Sequence, residues 1–137
     1  METKVSLFYK ADEEYYSVNS SGNRTEIDML STDKKAQSPT ELLLSGVVAC
    51  AAVDIVSMIK KRRKSFDQFE GSATGVRREE QPRKFTAINI HYEVISSDLQ
   101  DEELGKIIHL AVEKYCSVAA TINETCEFTH TFKIVRP

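Results

Sequence analysis

The sequence predicts an α+β protein, and three observations lead to that fold class. Segments in which apolar and polar residues alternate fill the first third of the chain, and two more lie in its second half. A long apolar segment with a helix start signal separates these groups, and an amphipathic segment follows them. Strands and helices grouped in this way, instead of alternating regularly, are typical of α+β folds. The chain has 137 residues and 41% hydrophobic content, so we expect a single domain over residues 1–137.

The first third of the chain predicts three short antiparallel strands. Alternating residues occupy 5–9, 15–19 and 25–30, and polar segments at 11–14 and 20–23 separate them. Period-two alternation bounded by polar residues and glycine is the usual pattern of strands joined by turns. We therefore expect a three-stranded meander.

A long helix is predicted to follow, from Ser38 to about Lys64. Ser38 is a good N-cap, Pro39 suits the first helical position, and Glu41 completes a capping box with Ser38. Residues 42–59 are apolar on nearly every face of this helix, so it must be surrounded by protein. Because a domain of this size rarely encloses a helix alone, we expect a homodimer with this helix at or near the interface.

Two strands and a second helix are predicted next. Residues 69–77 and 85–95 form a hairpin with a long, charged connection. The second helix begins at Ser97 or Asp98 and continues to Tyr115, with apolar residues at helical spacing on one face.

The chain ends with a short helix and a strand. Ser117 is a candidate cap for a helical turn that reaches Asn123, and residues 127–135 alternate as a strand. There is no internal repeat or linker, which again favours one domain.

Composition and charge exclude several classes of protein. The net charge of -3 and pI of about 5.7 argue against a nucleic-acid partner, and we interpret the basic residues 60–64 as a helix end that complements the helix dipole. The apolar stretch 42–53 is shorter than the roughly 18 residues that span a bilayer, and the N-terminus lacks an apolar signal core. We expect a soluble, cytoplasmic protein with no membrane partner.

Three cysteines are candidates for chemistry, and their number and spacing predict reduced thiols rather than a disulfide framework. Cys50 lies in the apolar helix, where it is either an inert core residue or a nucleophile that needs a nearby cation. Cys116 stands at a helix end, where it is either a core-facing cap residue or a thiol whose thiolate is stabilised by backbone N–H groups. If folding brings these two together, peroxide reduction is the natural chemistry. We interpret Cys126 as a bystander, with a backup resolving role as the alternative.

The remaining polar candidates predict structural roles. His91, His109 and His130 show no metal-ligand spacing with another histidine, cysteine or carboxylate, so we expect no metal site. Asp54, one turn after Cys50, must pair with a donor or reach a polar cavity.

Two cysteine segments together resemble the OsmC/Ohr family of thiol peroxidases. They are Ser-Pro-Thr-Glu-Leu-Leu-Leu-Ser-Gly-Val-Val-Ala-Cys at 38–50 and Val-Glu-Lys-Tyr-Cys-Ser-Val-Ala at 112–119, and the likeness extends to the order of the elements. The resemblance implies an OsmC-like fold, in which antiparallel sheets wrap around long central helices in an intertwined homodimer. It also implies active sites at the subunit interface.

The resemblance further implies an activity and its residues. Cys50 matches the peroxidatic position and Cys116 the resolving position of enzymes that reduce organic hydroperoxides, with hydrogen peroxide as a further candidate substrate. A lipoyl-type or other dithiol would reduce their disulfide. No metal and no organic cofactor are expected.

Some positions depart from the peroxidase pattern. Thr40 stands where the peroxidase branches have an acidic residue, and Glu41 is the candidate one position later. Arg24 is the candidate for the activating arginine, and Ser117 replaces a common proline. These differences resemble the less characterised OsmC-like branch rather than the Ohr branch. Two functions are therefore expected: a cysteine-based hydroperoxide reductase, or a non-catalytic or redox-sensing module that binds a small hydrophobic ligand at the dimer interface.

Overall fold

The computed structural model describes all residues from Met1 to Pro137. They form two compact units, Met1–Leu43 and Leu44–Pro137, each with its own sheet. The elements follow one another as three strands, a long helix, two strands, a helix, a short helix and a strand. The predicted α+β class and element order are confirmed, and the single domain over 1–137 stays a prediction.

The first unit is built on the predicted three-stranded antiparallel meander, whose strands pair in chain order. The Asn19 side chain holds the turn between its second and third strands, because its oxygen accepts the backbone N–H groups of Ser21 and Asn23 at 3.0 and 2.9 Å. Gly22, with φ of +83°, supplies the left-handed backbone that this turn needs. The strands are β1 (Val5–Ala11), β2 (Glu14–Asn19) and β3 (Arg24–Asp28).

A buried carboxylate organises the loop that follows β3. Asp28 is only 1% exposed, and it accepts hydrogen bonds from the Lys34 ammonium at 2.9 Å and from the backbone N–H groups of Lys35 and Ala36 at 2.7 and 2.8 Å. Burial alone would raise the pKa of this carboxyl, but the three donors outweigh burial and lower its pKa to about 2. The loop is thereby tied back to the sheet.

The long helix α1 (Pro39–Lys61) begins with the predicted capping box. The Ser38 N–H donates to the Glu41 carboxylate at 3.0 Å, and the Glu41 N–H donates to the Ser38 hydroxyl at 3.3 Å. The helix ends three residues before the predicted Lys64. Arg63 has a φ of 59°, a left-handed conformation that ends the run of helical hydrogen bonds.

The second unit contains a three-stranded sheet in the order β4–β5–β6. The two strands of the predicted hairpin are antiparallel, but β6 runs parallel to β5, with Ala87 opposite Glu127 and Ile95 opposite Val135. The expectation of purely antiparallel sheets is thus wrong for this strand. Helices connect β5 to β6, and such a crossover returns the chain in the same direction. The strands are β4 (Gln68–Arg77), β5 (Phe85–Ile95) and β6 (Glu127–Val135).

The second helix, α2 (Asp101–Leu110), starts later than predicted. Ser96 and Asp98 are engaged in a turn instead: the Ser96 hydroxyl accepts the Leu99 N–H at 3.1 Å, and the Asp98 carboxylate accepts the Ser65 N–H at 3.2 Å. Gln100 takes the N-cap position, in a capping box with Glu103.

The helix that was predicted to continue to Tyr115 changes character after Leu110. Residues Ala111–Tyr115 form a π-helical turn, which closes with a hydrogen bond from the Cys116 N–H to the Ala111 carbonyl at 2.8 Å. A separate short helix, α3 (Ser117–Ile122), follows. The spacing of apolar residues does not distinguish an α-helix from a π-helical turn, because both bury one face.

One hydrophobic cluster fills the second unit, and one face of α1 contributes to it. The opposite side of the helix is less covered, since Val53 is 70% exposed. The expectation that α1 is enclosed on nearly every face is therefore not met within one chain. The fully buried cluster members include, from α1, β5 and α2, Val47, Ala51, Ile55, Ile59, Ile88, Ile90, Tyr92, Val94, Leu104, Ile107 and Ile108.

Helix α1 is also more apolar than the stretch 42–53 alone indicates. Its best 18-residue window has a mean hydropathy of 2.3, and 22% of that window is buried. By length and composition the helix could cross a membrane, contrary to the sequence-based expectation. Core helices of soluble proteins have the same property.

Candidate functional site

Cys50 lies on α1, where it is partly buried and packs against the hydrophobic cluster. Helical side chains point back over the preceding turn, so the Cys50 thiol is directed toward the turn that contains Val47. An accessible thiol on a rigid helix is well placed to react with a small molecule.

Cys116 lies between the π-helical turn and α3, and it is only 2% exposed. Its sulfur accepts the backbone N–H of Ala119 at 3.3 Å, and its thiol donates to the Val47 carbonyl oxygen at 3.9 Å. The expectation that Ser117 caps this helix is wrong. Cys116 is the N-cap because its own backbone is extended, with φ of -71° and ψ of 107°.

The structure brings the side chains of the two predicted cysteines close enough to influence each other electrostatically. Burial raises the pKa of Cys116 most, and the neighbouring Cys50 raises it further. The N–H groups of Ala119 and Val118 act in the opposite direction, since they stabilise a thiolate. Cys116 is thus a buried, mainly protonated thiol beside a more accessible one. Such a pair can form a disulfide when the outer sulfur is oxidised.

Tyr92 is a third member of this site, and sequence analysis did not identify it. Its hydroxyl donates to the Val48 carbonyl of α1 at 2.7 Å. Burial raises the pKa of this phenol above its usual range, and Cys116 and Cys50 add to the effect, so the phenol lies within electrostatic reach of both sulfurs. One signal in the sequence could have identified it: Tyr92 interrupts an otherwise aliphatic row of inward-facing residues on β5. A buried tyrosine hydroxyl needs a hydrogen-bond partner.

A glycine makes room for the Tyr92 ring. A Cβ atom at Gly71 on β4 would lie 2.6 Å from that ring and 3.2 Å from a Val48 methyl group. Only glycine lets the strand approach the aromatic ring so closely. Gly71 therefore allows the Tyr92 ring, which is part of the site, to pack directly against β4.

A small cavity adjoins the cysteine-bearing elements. Its volume is about 310 Å³. Asp54 is one turn after Cys50 on α1, and Tyr115 directly precedes Cys116. The expectation that Asp54 reaches a polar cavity is confirmed. The cavity is lined by Asp54, Ser57, Met58, Lys61 and Tyr115.

Arg24 and Glu41, the other predicted site residues, belong to the first unit. The Arg24 guanidinium pairs with Glu26 at 2.7 Å and lies 3.7 Å from the centre of the Tyr16 ring. Besides capping Ser38, Glu41 lies 3.6 Å from the Lys34 ammonium. Their roles toward Cys50 stay predictions.

The third cysteine has no thiol partner. Cys126 is 7% exposed, and its thiol donates to the Glu127 carbonyl at 3.9 Å. Burial raises its pKa. These contacts are those of a structural thiol.

The histidines divide into two groups. His91 is bonded to the Thr131 hydroxyl at 2.7 Å, as expected for a structural histidine. His109 and His130, by contrast, lie with their ring centres 5.7 Å apart, and Glu113 is close to both. Sequence spacing could reveal only part of this group. His109 and Glu113 lie four residues apart in a helical segment, so the expectation that His109 shows no ligand spacing with a carboxylate is wrong, whereas His130 joins them from β6 through the fold.

Comparison with known proteins identifies the family. The family model described as OsmC-like protein matches residues 32–131. Protein YhfA of Escherichia coli K12 is 39% identical over 117 residues, which are 85% of this chain and 87% of YhfA.

Two solved structures show the same fold. A hypothetical protein from Aquifex aeolicus has a TM-score of 0.88 at 25% identity, over 100% of this chain and 98% of that one. An organic hydroperoxide resistance protein OsmC from Legionella pneumophila has a TM-score of 0.72 at 15% identity, over 98% of each chain.

These similarities confirm several expectations. The fold is OsmC-like, and the identity with YhfA agrees with the less characterised branch rather than the Ohr branch. Proteins of this family are soluble, which supports the expectation of a soluble protein despite the apolar α1. The match over residues 32–131 contains both Cys50 and Cys116, and the chain belongs to the OsmC-like protein family.

Proposed function

We propose that this protein is a thiol-dependent peroxidase that reduces organic hydroperoxides. The observation that carries the proposal is the proximity of the Cys50 and Cys116 side chains, which lie far apart in sequence but close enough in the fold for Cys50 to raise the pKa of Cys116. The name of the Legionella protein, an organic hydroperoxide resistance protein, supports the same class of substrate.

The proposed reaction has three steps. The Cys50 thiolate attacks the outer oxygen of the hydroperoxide, the O–O bond breaks, and the alcohol leaves with a proton. Cys50 is now a sulfenic acid, which the Cys116 thiol attacks to form a disulfide and release water. A lipoyl-type or other dithiol then reduces the disulfide to two thiols and is itself oxidised.

The difference between the two thiols supports this assignment of roles. Cys50 is partly accessible, whereas Cys116 is almost completely buried and has a raised pKa. A small molecule can therefore reach Cys50 more readily than Cys116. Cys116 has only to react with its neighbour, so burial does not prevent its role.

We propose Arg24 as the cation that activates Cys50, and Glu41 as a residue that orders the start of α1. Arg24 is already paired with Glu26 and stacked on Tyr16, so activation of a thiolate requires it to exchange one of these contacts. Glu41 forms two hydrogen bonds with Ser38: its carboxylate accepts the Ser38 N–H, and its own N–H donates to the Ser38 hydroxyl.

We also propose that the protein works as a homodimer in the cytoplasm. The low burial of α1 within one chain supports a partner chain, because only 22% of its most apolar 18-residue window is buried and extended exposed apolar surface usually marks an interaction site. Size-exclusion chromatography with light scattering measures the oligomeric state directly.

Thiol counting tests the peroxidase proposal. The reduced protein is mixed with cumene hydroperoxide, free thiols are counted, and disulfides are mapped by mass spectrometry. We expect the loss of two thiols and a Cys50–Cys116 disulfide. Cys50→Ser should abolish thiol loss, whereas Cys126→Ser, the same change at a thiol outside the pair, should not affect it. Persistence of all three thiols would exclude the proposal.

A second candidate function is a redox-sensing or ligand-binding module that holds a small hydrophobic molecule at a dimer interface. The engagement of Arg24 by Glu26 and Tyr16 favours it, because an arginine must leave such contacts before it can stabilise a thiolate. Sustained turnover with a hydroperoxide and dihydrolipoamide, abolished by Cys50→Ser, would exclude this second function.

A further inference from the structure

Two histidines and a glutamate come together in the second unit. One donor atom of each of His109, Glu113 and His130 lies within 4.8 Å of the other two. His109 is in the last turn of α2, Glu113 is in the π-helical turn, and His130 is on β6. The ring planes of the two histidines are inclined by 63°, so their nitrogens can converge on one point without stacking.

We propose that these three side chains bind a divalent transition-metal ion of the Zn²⁺ type, at a site that uses none of the cysteine thiols. Two imidazoles and one carboxylate are a donor set that binds Zn²⁺ and its first-row neighbours. Mg²⁺ and Ca²⁺ prefer oxygen donors alone and should not compete.

The distances are compatible with a metal site before the ion enters. Bonds of about 2.1 Å in a tetrahedral arrangement bring two donors about 3.4 Å apart, so small side-chain rotations have to close the remaining separation. His109 and Glu113 are exposed and His130 is partly buried, which leaves room for such rotations. The backbone of each residue, in contrast, is fixed in a helix, a π turn or a strand.

The three donors are not occupied by other interactions of the protein. His91 has a hydrogen-bond partner in Thr131, but no hydrogen bond or ion pair engages the side chains of His109, Glu113 or His130. Structural histidines usually have such a partner. A π-helical turn at Glu113 adds to the argument, because these turns occur frequently at functional sites.

An open cavity of about 770 Å³ adjoins the two histidines. It leaves space for water or an anion to complete the coordination of the ion. Arg62, Lys106 and Glu102 also line this cavity, so charged groups of both signs lie near the position of the additional ligand.

Isothermal titration calorimetry with ZnCl₂ tests the proposal on the reduced, full-length protein. We expect a site on each wild-type chain that is weakened by more than about tenfold in His109→Asn, Glu113→Gln and His130→Asn. His91→Asn is the matched control, since it removes a histidine outside the group, and its affinity for the ion should equal that of the wild type. Circular dichroism and thermal unfolding of each variant check that it is folded.

A spectroscopic readout separates this site from binding to thiols. Co²⁺ bound by nitrogen and oxygen donors shows visible d–d bands without the strong thiolate-to-metal bands in the near ultraviolet. We expect the former spectrum in the wild type and its loss in His130→Asn. A thiolate spectrum, or Zn²⁺ affinity that is the same in all four variants and the wild type, would overturn the proposal.

Discussion

The backbone N–H of Ala119 donates a hydrogen bond to the sulfur of Cys116 at 3.3 Å. The same sulfur contacts Cys50 and donates its proton toward α1. The Cys116 sulfur is thus both the hydrogen-bond acceptor that caps the start of α3 and one of the two sulfurs of the thiol pair. Because the acceptor strength of sulfur changes with its oxidation state, oxidation of the pair should alter the start of α3.

The double role of Cys116 predicts a difference between two substitutions. Cys116→Ser keeps a side-chain acceptor at the N-cap, whereas Cys116→Ala removes it and should lower the free energy of unfolding by about 1 kcal/mol relative to serine. Urea denaturation of the reduced variants measures this difference. Equal stability of the two variants would show that the sulfur does not act as a cap.

The close approach of Gly71 to the Tyr92 ring gives a second prediction. Gly71→Ala places a Cβ atom 2.6 Å from the Tyr92 ring and should cost about 1–3 kcal/mol through overpacking. Gly105→Ala is the matched control in α2, where the new Cβ atom would lie 3.4 Å from Phe132, an ordinary contact. We expect this control to be neutral or to stabilise by up to about 1 kcal/mol, because alanine favours helix. Equal effects in urea denaturation would contradict the close approach.

Asp28 predicts how stability depends on pH in the acid range. Its pKa is about 2 in the folded protein and about 3.9 in an unfolded chain. The ionised carboxylate therefore stabilises the fold fully above about pH 4, and this stabilisation is lost as the pH falls from about 4 to about 2. Thermal unfolding between neutral pH and pH 2 should show this loss.

Two asparagine variants isolate the contribution of Asp28. Asp28→Asn should lower the melting temperature at neutral pH and flatten its fall below about pH 4, since the titrating group is gone. Asp33→Asn changes an exposed carboxyl in the same loop, at a φ of 50° that asparagine tolerates, and should retain the wild-type profile. An unchanged profile in Asp28→Asn would show that this carboxylate does not account for the acid sensitivity.

Sequence patterns predicted the elements well where the signals are local. The capping box of Ser38 and Glu41 marked the start of α1, and period-two alternation located all six strands. The start of α2 was predicted too early, because Ser96 and Asp98 use their side chains in a turn with Ser65. A sequence pattern does not show that a candidate N-cap such as Asp98 already accepts a hydrogen bond from another segment.

The site was predictable only in part, for a related reason. Cys50 and Cys116 could be paired from the family resemblance, and in the structure Cys50 is close enough to raise the pKa of Cys116. Tyr92 and the group around His130 depend on which strand lies beside which helix, and the parallel pairing of β6 was not predicted. Contacts between distant segments follow from topology, which local periodicity does not contain.

The proposed role of Arg24 gives the last prediction, which also discriminates between the two functions. A cation beside a thiolate stabilises it and makes it a better nucleophile, so Arg24→Gln should slow the oxidation of Cys50 by cumene hydroperoxide at neutral pH. Stopped-flow measurement of thiol loss checks this rate. Lys10→Gln is the matched control, because Lys10 also pairs with Glu26, at 3.5 Å, without a proposed role. If both variants react like the wild type, Arg24 does not activate Cys50; if the wild type itself does not react, the ligand-binding function gains support over the peroxidase.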